Sequence, residues 1–414
     1  MTSTFLRSPF ASALFLAGAC ACLPASADSG TGWGYTDLGA LDGSFVGPLP
    51  PSATGYGIGQ GFVASGGIGT FSYSGSSIAD ASALNGASGG SYYVNEAGMV
   101  AGQGSTSSQA FLYADGKFNP LGSLGGNGTY VTGMNASGEV VGYGNEAGNA
   151  STHAFTYTGG RITDLKTLGG TTSSAIAVNN AGQVVGNSNI SGDAASHAFL
   201  YAQGGMTDLG TLGGTSSGAV AINGSGIVIG NSTLGGDASK HGGDASKHAF
   251  EYVGGSMIDI GTLGGTTSTA VAINSSGAMI GNATTANNAA THAFIFADGK
   301  MTDLGTLGGK NSYALGMDSF GDVIGMSTLA GSTVQHSFLY SDGKMSDLST
   351  LFPGVTSFVA AGINDARQVI GTATTQAGSI RGLIVSAVPE TPGFMLMVAG
   401  FAALATIGRR RRDL

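Results

Sequence analysis

A repeat of 44 residues constrains the fold of this chain more than any other feature. It is marked by the string His-Ala-Phe or a one-residue variant, which begins at Gln109, His153, His197, His248, His292 and His336. Successive copies lie 44 residues apart, except for one gap of 51. The longer gap has a simple cause, since residues 235–241 read GGDASKH and residues 242–248 repeat them. Repeats of this length are typical of solenoids, propellers and arrays, in which neighbouring copies bury a common core.

Each unit predicts about four short strands. The unit that begins at His292 has apolar stretches at 292–296, 301–307, 313–317 and 323–326, separated by turn residues such as Asp-Gly. Glycine and asparagine tolerate positive φ and therefore punctuate hairpins. Glycine supplies 75 of the 414 residues, which argues against long helices because each interior glycine costs about 1 kcal/mol relative to alanine.

Four strands in 44 residues is the size of one propeller blade. The sequence therefore predicts an all-β repeat domain over residues 33–386, a β-propeller of about eight four-stranded blades. Seven blades, a β-solenoid and an elongated bead-like array are the alternatives. The count of eight rests on a recurrent stretch like Asp-Leu-Gly, which begins at Asp37, Asp80, Asn119, Asp164, Asp208, Asp259, Asp303 and Asp347.

The two ends of the repeat domain complement each other. The chain enters the repeat at Tyr35–Leu38, which is the second stretch of a unit, and the first stretch is missing there. Residues 380–385 have the position and the apolar character of that missing stretch. We expect the two segments to pair and close the ring, because an open edge strand invites aggregation.

The first 27 residues are interpreted as a secretory signal peptide. Arg7 is the positive start, residues 10–23 are apolar, and Ala25-Ser26-Ala27 is a small-residue cleavage site with signal peptidase cutting after Ala27. A lipoprotein signal that ends at Cys20 is the alternative. Both cysteines of the chain lie in this segment, so the mature protein is expected to have neither disulfides nor a cysteine nucleophile.

Residues 388–414 combine a short polar motif, an apolar run and a basic cluster. The run at 394–408 would span about 22 Å as a helix, less than a bilayer core of about 30 Å. Arginines at the end of the chain would hold that end in the cytoplasm, so that the repeat domain lies on the opposite side of the inner membrane. The residues concerned are Pro389, Glu390, Arg409, Arg410, Arg411 and Arg412.

This layout resembles the PEP-CTERM sorting signal of Gram-negative bacteria, although Thr391 interrupts the usual Pro-Glu-Pro. The resemblance implies that an exosortase recognises the segment and cleaves near Pro389 and Glu390 after a transient stay in the membrane. It also implies an association with exopolysaccharide production and the biofilm matrix. A plain single-span tail anchor is the alternative.

The units from Gln109 to Gly371 resemble the HAF family of extracellular bacterial repeats, which is named for His-Ala-Phe. The resemblance implies an extracellular location and a repeat architecture. It implies no particular activity.

The recurrent polar residues point to structure more than to chemistry. One histidine per blade places equivalent side chains far apart around a ring, which opposes a shared metal site, so no metal and no cofactor are predicted. The recurrent aspartate is interpreted as a turn residue. The departures from the repeat are Trp33, Lys166, Glu251, Arg367 and Phe352-Pro353, and they form no acid–base pair in the sequence.

Between Asp28 and Val388 the chain has 10 Lys plus Arg and 22 Asp plus Glu, a net charge of −12. A surface this acidic argues against binding of nucleic acid. The sequence therefore predicts a non-enzymatic protein of the cell surface or extracellular matrix that binds exopolysaccharide or another matrix component. A glycan-active enzyme on a propeller scaffold and a purely structural spacer are the alternatives.

Overall fold

The computed structural model describes residues 33–37, 45–48, 56–62, 68–74, 77–80, 92–95, 97–103, 110–235, 246–351 and 354–387. Ala27, Pro389, Glu390 and Arg409–Arg412 lie outside the described residues, as does most of the GGDASKH duplication. Within the described ranges, none of the helices has the length and apolar character that a membrane crossing requires.

The first nine strands are β1 (Trp33–Asp37), β2 (Phe45–Pro48), β3 (Tyr56–Phe62), β4 (Ile68–Ser74), β5 (Ser77–Asp80), β6 (Tyr92–Val94), β7 (Val100–Gln103), β8 (Ala110–Ala114) and β9 (Lys117–Pro120). Strands β2–β5 form one four-stranded antiparallel sheet and β6–β9 form another, each in chain order. Strand β1 belongs to neither sheet and pairs at the far end of the chain.

The next twenty strands form five regular blades of four strands. They are β10 (Gly125–Met134), β11 (Val140–Glu146), β12 (Thr152–Thr158), β13 (Arg161–Lys166), β14 (Gly169–Val178), β15 (Val184–Ile190), β16 (Ser196–Ala202), β17 (Gly205–Asp208), β18 (Gly213–Ile222), β19 (Val228–Leu234), β20 (Lys247–Val253), β21 (Ser256–Asp259), β22 (Gly264–Ile273), β23 (Met279–Thr285), β24 (Thr291–Ala297), β25 (Lys300–Asp303), β26 (Gly308–Met317), β27 (Val323–Leu329), β28 (Gln335–Ser341) and β29 (Lys344–Asp347). Short 3-10 turns at Ala147–Asn149, Ser191–Asp193 and Ala286–Asn288 join second and third strands.

The last sheet joins the two ends of the described chain. A 3-10 turn at Leu348–Leu351 leads to β30 (Val355–Ile363), β31 (Gln368–Thr375) and β32 (Ile380–Ala387). Strand β1 pairs antiparallel with β32, with Tyr35 opposite Val385 and Asp37 opposite Leu383. The expected pairing of the terminal segments is therefore confirmed.

The sheets lie side by side around an axis. Within each regular blade the strands follow chain order, and the first strands β10, β14, β18, β22 and β26 lie beside one another in sequence. Each blade thus presents its first strand inward and its fourth strand outward. The molecule is an all-β propeller, as the repeat predicted.

A phenylalanine and a glycine form the centre of each regular blade. The phenylalanine of His-Ala-Phe, or His-Ser-Phe in the last of these blades, is fully buried on the third strand, and a glycine lies opposite it on the second strand. The pairs are Phe155 with Gly142, Phe199 with Gly186, Phe250 with Gly230, Phe294 with Gly281 and Phe338 with Gly325. A Cβ atom on Gly281 would lie 2.6 Å from the ring of Phe294 and 2.1 Å from the carbonyl oxygen of Thr269. The ring therefore occupies the space that a side chain at this position would need.

The hydrophobic core is continuous from blade to blade. Phe294 packs in one cluster with Ala270 and Met279 of its own blade and with Ile229 and Ala249 of the preceding blade. Burial of one such side chain contributes about 1.5–3 kcal/mol. Each repeat therefore buries its apolar face only when a neighbour is present.

We expect the Gly281→Ala variant to lower the free energy of unfolding by about 1–3 kcal/mol, because the added methyl group overpacks against Phe294 and Thr269. Chemical denaturation of the purified protein measures this change. Gly224→Ala is the matched control, since a Cβ atom at Gly224 meets no atom within 4 Å. Equal stability of the two variants would show that the phenylalanine and glycine are not packed as described.

Candidate functional site

The repeated histidines are held by aspartates on the next strand. Each histidine is the second residue of its third strand, and its Nδ1 lies 2.7–3.1 Å from the carboxylate of an aspartate eleven residues later. The pairs are His153 with Asp164, His197 with Asp208, His248 with Asp259, His292 with Asp303 and His336 with Asp347. This arrangement matches the structural role that the even spacing of the histidines suggested.

The same aspartates close the turn that follows them. In each case one carboxylate oxygen accepts the backbone N–H of the residue two positions later, at 2.7–2.8 Å. The turn interpretation of the recurrent aspartate therefore agrees with the structure. The sequence did not reveal that this carboxylate also orients the histidine.

A serine on the next inner strand completes the pattern. Ser268 Oγ accepts the N–H of Ala249 at 3.0 Å and donates to the carbonyl of Gly261 at 2.6 Å. Ser173, Ser217 and Ser312 make the same two bonds in their blades. Although histidine, aspartate and serine recur together, these serines bond to main-chain groups of the preceding blade, so they do not form a nucleophile and base pair with the histidines.

Asparagines link the turns between first and second strands. Each side chain folds back on its own turn, where Oδ1 accepts N–H groups two and four residues later, while Nδ2 donates to the carbonyl of the equivalent residue in the next unit, at 3.0–3.3 Å. The residues are Asn95, Asn135, Asn179, Asn223 and Asn274. The sequence predicted asparagine and glycine at hairpin turns, but it did not show that these side chains also join positions in different blades.

These turns border a depression at one end of the axis. It is lined by the asparagine turns of four units and by the ends of inner strands such as those at Met134, Val178 and Ile222. A second concave surface lies between two blades, and its lining combines polar side chains with the small apolar residues Ala219 and Val220. Its polar lining includes Asn187, Ser196, Ser216, Asn231 and Lys247.

Asp318 interrupts the series of asparagines. The main-chain carbonyl oxygen of Asp318 accepts a hydrogen bond from Asn274 Nδ2. Its side-chain Oδ1 accepts hydrogen bonds from the backbone N–H groups of Phe320 and Asp322. Asp318 is 1% exposed, and its Oδ2 has no hydrogen-bond partner among the described residues. Burial raises the pKa of Asp318, and the nearby charge of Asp322 adds to the increase.

Two of the departures from the repeat form ion pairs. Arg367 donates to Asp322 Oδ2 from Nε at 2.7 Å and from Nη2 at 2.6 Å. Lys166 pairs with Asp164, the partner of His153. Burial alone would raise the pKa of Asp164, but the hydrogen bonds from Lys166 and His153 lower it overall. Glu146, which the repeat pattern does not mark, lies beside the same histidine.

No family model and no curated protein matches this chain. Among solved structures, the β-propeller domain of the Trilobed protease from Pyrococcus furiosus is 11% identical, with a TM-score of 0.47, and the match covers 75% of this chain and 98% of that domain. A Mycobacterium tuberculosis puromycin-hydrolyzing peptidase is 11% identical, with a TM-score of 0.44 and coverage of 84% and 54%. Dipeptidyl peptidase 4 of Porphyromonas gingivalis is also 11% identical, with a TM-score of 0.44 and coverage of 74% and 53%. The match thus spans about half of each of these two peptidases, and likenesses this distant carry no information on activity.

We expect the Asp318→Asn variant to be more stable than the wild type at neutral pH, by about 1–3 kcal/mol, because the amide restores the missing donor. Since the folded-state pKa of Asp318 is raised, its contribution to stability is present in acid and is lost as the pH rises through that pKa. The gain from asparagine should therefore grow from acid to neutral pH.

Denaturation of both proteins across that pH range measures the effect. The reverse change, Asn179→Asp, is the matched control and should destabilise the protein most at neutral pH. A gain that does not depend on pH would mean that Asp318 has the same pKa in the folded and the unfolded protein.

Proposed function

We propose that this propeller is an exported, non-enzymatic protein of the cell surface or extracellular matrix, and that it binds a neutral polysaccharide. The observation that carries the proposal is the groove between two blades, which is lined by the hydroxyl-bearing Ser196 and Ser216 and by Asn231, whose Oδ1 already accepts the N–H of Ala270. Such groups recognise sugar hydroxyls by hydrogen bonding. The net charge of −12 between Asp28 and Val388 opposes binding of an anionic polymer.

The finer architecture in this proposal is one closed ring of eight blades. The neighbours of the irregular sheets support that number. Strand β2 lies beside β31 and β32, β3 beside β6, β10 beside β6 and β7, and β30 beside β26, β27 and β28. Each sheet thus has a neighbour on both sides.

Electron micrographs of single particles seen down the propeller axis would count the blades. We expect eight, and a count of seven would refute this arrangement.

Repetition also favours binding over catalysis. In the regular blades the recurrent histidine, aspartate, serine and asparagine side chains hold turns and neighbouring strands together. Side chains that make the same structural hydrogen bonds in each blade do not form the asymmetric arrangement of groups that an active site requires. A polymer with a repeating structure, by contrast, can contact equivalent surfaces on several blades.

Export and sorting complete the proposal. We propose that signal peptidase cleaves after Ala27, and that exosortase processes the segment with Pro389 and Glu390 while residues 394–408 anchor it transiently in the inner membrane.

Mass spectrometry of the exported protein tests the sorting step. We expect a C-terminus between Val388 and Thr391, with Arg409–Leu414 absent. An intact tail on surface-located protein would instead make this segment a permanent anchor.

Binding to an array of neutral and acidic glycans tests the function. We expect the mature protein to bind neutral polymers, and Ser196→Trp to reduce that binding at least about tenfold, because burial of a bulky side chain in the groove displaces the ligand. Thr158→Trp, at the exposed end of β12, is the matched control and should bind as the wild type does. Release of sugar would indicate an enzyme, and binding to no polymer would indicate a structural spacer.

A further inference from the structure

We propose that Glu146, His153 and Asp164 form a binding site for a divalent metal ion of the zinc class. His153 Nδ1 lies 3.1 Å from Glu146 Oε1 and 3.1 Å from Asp164 Oδ1. One ligand atom from each residue lies within 4.8 Å of the other two. The site lies where β11 ends and β12 begins, at the opposite end of the inner strand from the asparagine turns.

The spacing of the three atoms suits a tetrahedral ion. Imidazole nitrogen and carboxylate oxygen bind zinc at about 2.0–2.2 Å, so adjacent ligand atoms around a tetrahedral ion are separated by about 3.3 Å. The two distances from His153 Nδ1 come close to this value. Three protein ligands would leave a fourth position for water or for an oxygen of another molecule.

The charge of the cluster also suits a divalent cation. A neutral imidazole has one N–H group on Nδ1 at most, so it cannot donate a full hydrogen bond to two carboxylates at once. Glu146 is already oriented, because its Oε2 accepts the hydroxyl of Ser151 at 2.7 Å. Two carboxylates that converge on one imidazole supply the negative charge that a divalent ion would neutralise.

The sister blades provide an internal comparison. Glu146 lies opposite Gly125, and the residues in the same register are Ile190, Leu234, Thr285 and Leu329. At this register position those blades keep the histidine and the aspartate but have no carboxylate. Among the residues that the structure describes, only the blade that begins at Gly125 combines all three groups.

Lys166 modulates this site. Its ammonium group pairs with Asp164, whereas three sister blades have Gly210, Gly261 or Gly305 at this position. The Lys166 side chain is 71% exposed, so it can turn into solvent when a cation binds. Lys166 also has a φ of +67°, which glycine would adopt without strain. We therefore expect that replacement of Lys166 by glycine preserves the fold and strengthens metal binding.

Titration of the chelator-treated, full-length protein with zinc by calorimetry, and with cobalt by absorption spectroscopy, tests the site. We expect one ion per chain and the visible spectrum of a tetrahedral cobalt centre. Glu146→Gln and Glu146→Ile should weaken binding at least about tenfold. The second variant carries the side chain of a sister blade and should fold normally. Lys166→Gly should tighten binding.

His197→Ala is the matched control, because it removes the equivalent histidine of the neighbouring blade and should leave the cobalt spectrum and the affinity unchanged. The proposal is overturned if the wild type binds no zinc, if Glu146→Ile binds as tightly as the wild type, or if His197→Ala abolishes the signal. In the first case the cluster is an ion pair between His153 and two carboxylates. In the other cases the metal binds elsewhere.

Discussion

The contact between a phenylalanine and a glycine in neighbouring strands of one blade is the constraint on which the rest of the structure depends. Because Gly230 and its equivalents have no side chain, the rings of Phe250 and its equivalents can lie against the backbone of the second strand. The ring then reaches the inner strand of its own blade and residues of the preceding blade. Alanine at the glycine position would displace the ring, and with it the contact between blades.

Close packing of this kind leaves many main-chain groups without water, and the repeated polar residues satisfy them. Ser268 forms hydrogen bonds with the N–H of Ala249 on a strand and with the carbonyl of Gly261 in a turn. Asn223 forms hydrogen bonds with N–H groups of its own turn and with the carbonyl of Asn274 in the turn of the next unit. A buried main-chain group without a partner costs about 1–3 kcal/mol, so the serine and the asparagine each recur in four of the five regular blades. Their recurrence is therefore explained by folding and gives little information on function.

The repeat period and the turn residues were sufficient to predict the strands, the propeller and the pairing of residues 380–385 with the start of the domain, because each depends on local pattern or on position within the unit. The links through Asn135 and Asn179 could not be predicted in this way, since the two partners lie 44 residues apart in different blades. Glu146 was missed for a related reason. It lies seven residues before His153 in the chain, and only alignment of the units shows that a carboxylate replaces residues such as Ile190 and Leu234.

A residue that departs from the repeat can affect either stability or ligand binding, and the solvent exposure of its side chain distinguishes the two cases. Asp318 replaces an asparagine at a buried turn, where the Oδ2 atom is shielded from solvent and has no hydrogen-bond partner among the described residues. A group in that position can only affect stability. Glu146 replaces an uncharged residue at a strand end, where its side chain is 32% exposed and that of His153 is 12% exposed. A ligand from solvent can reach this second cluster. In a propeller whose regular polar residues are committed to turns and neighbouring strands, accessible departures of this kind are the positions at which one blade can acquire chemistry that the others lack.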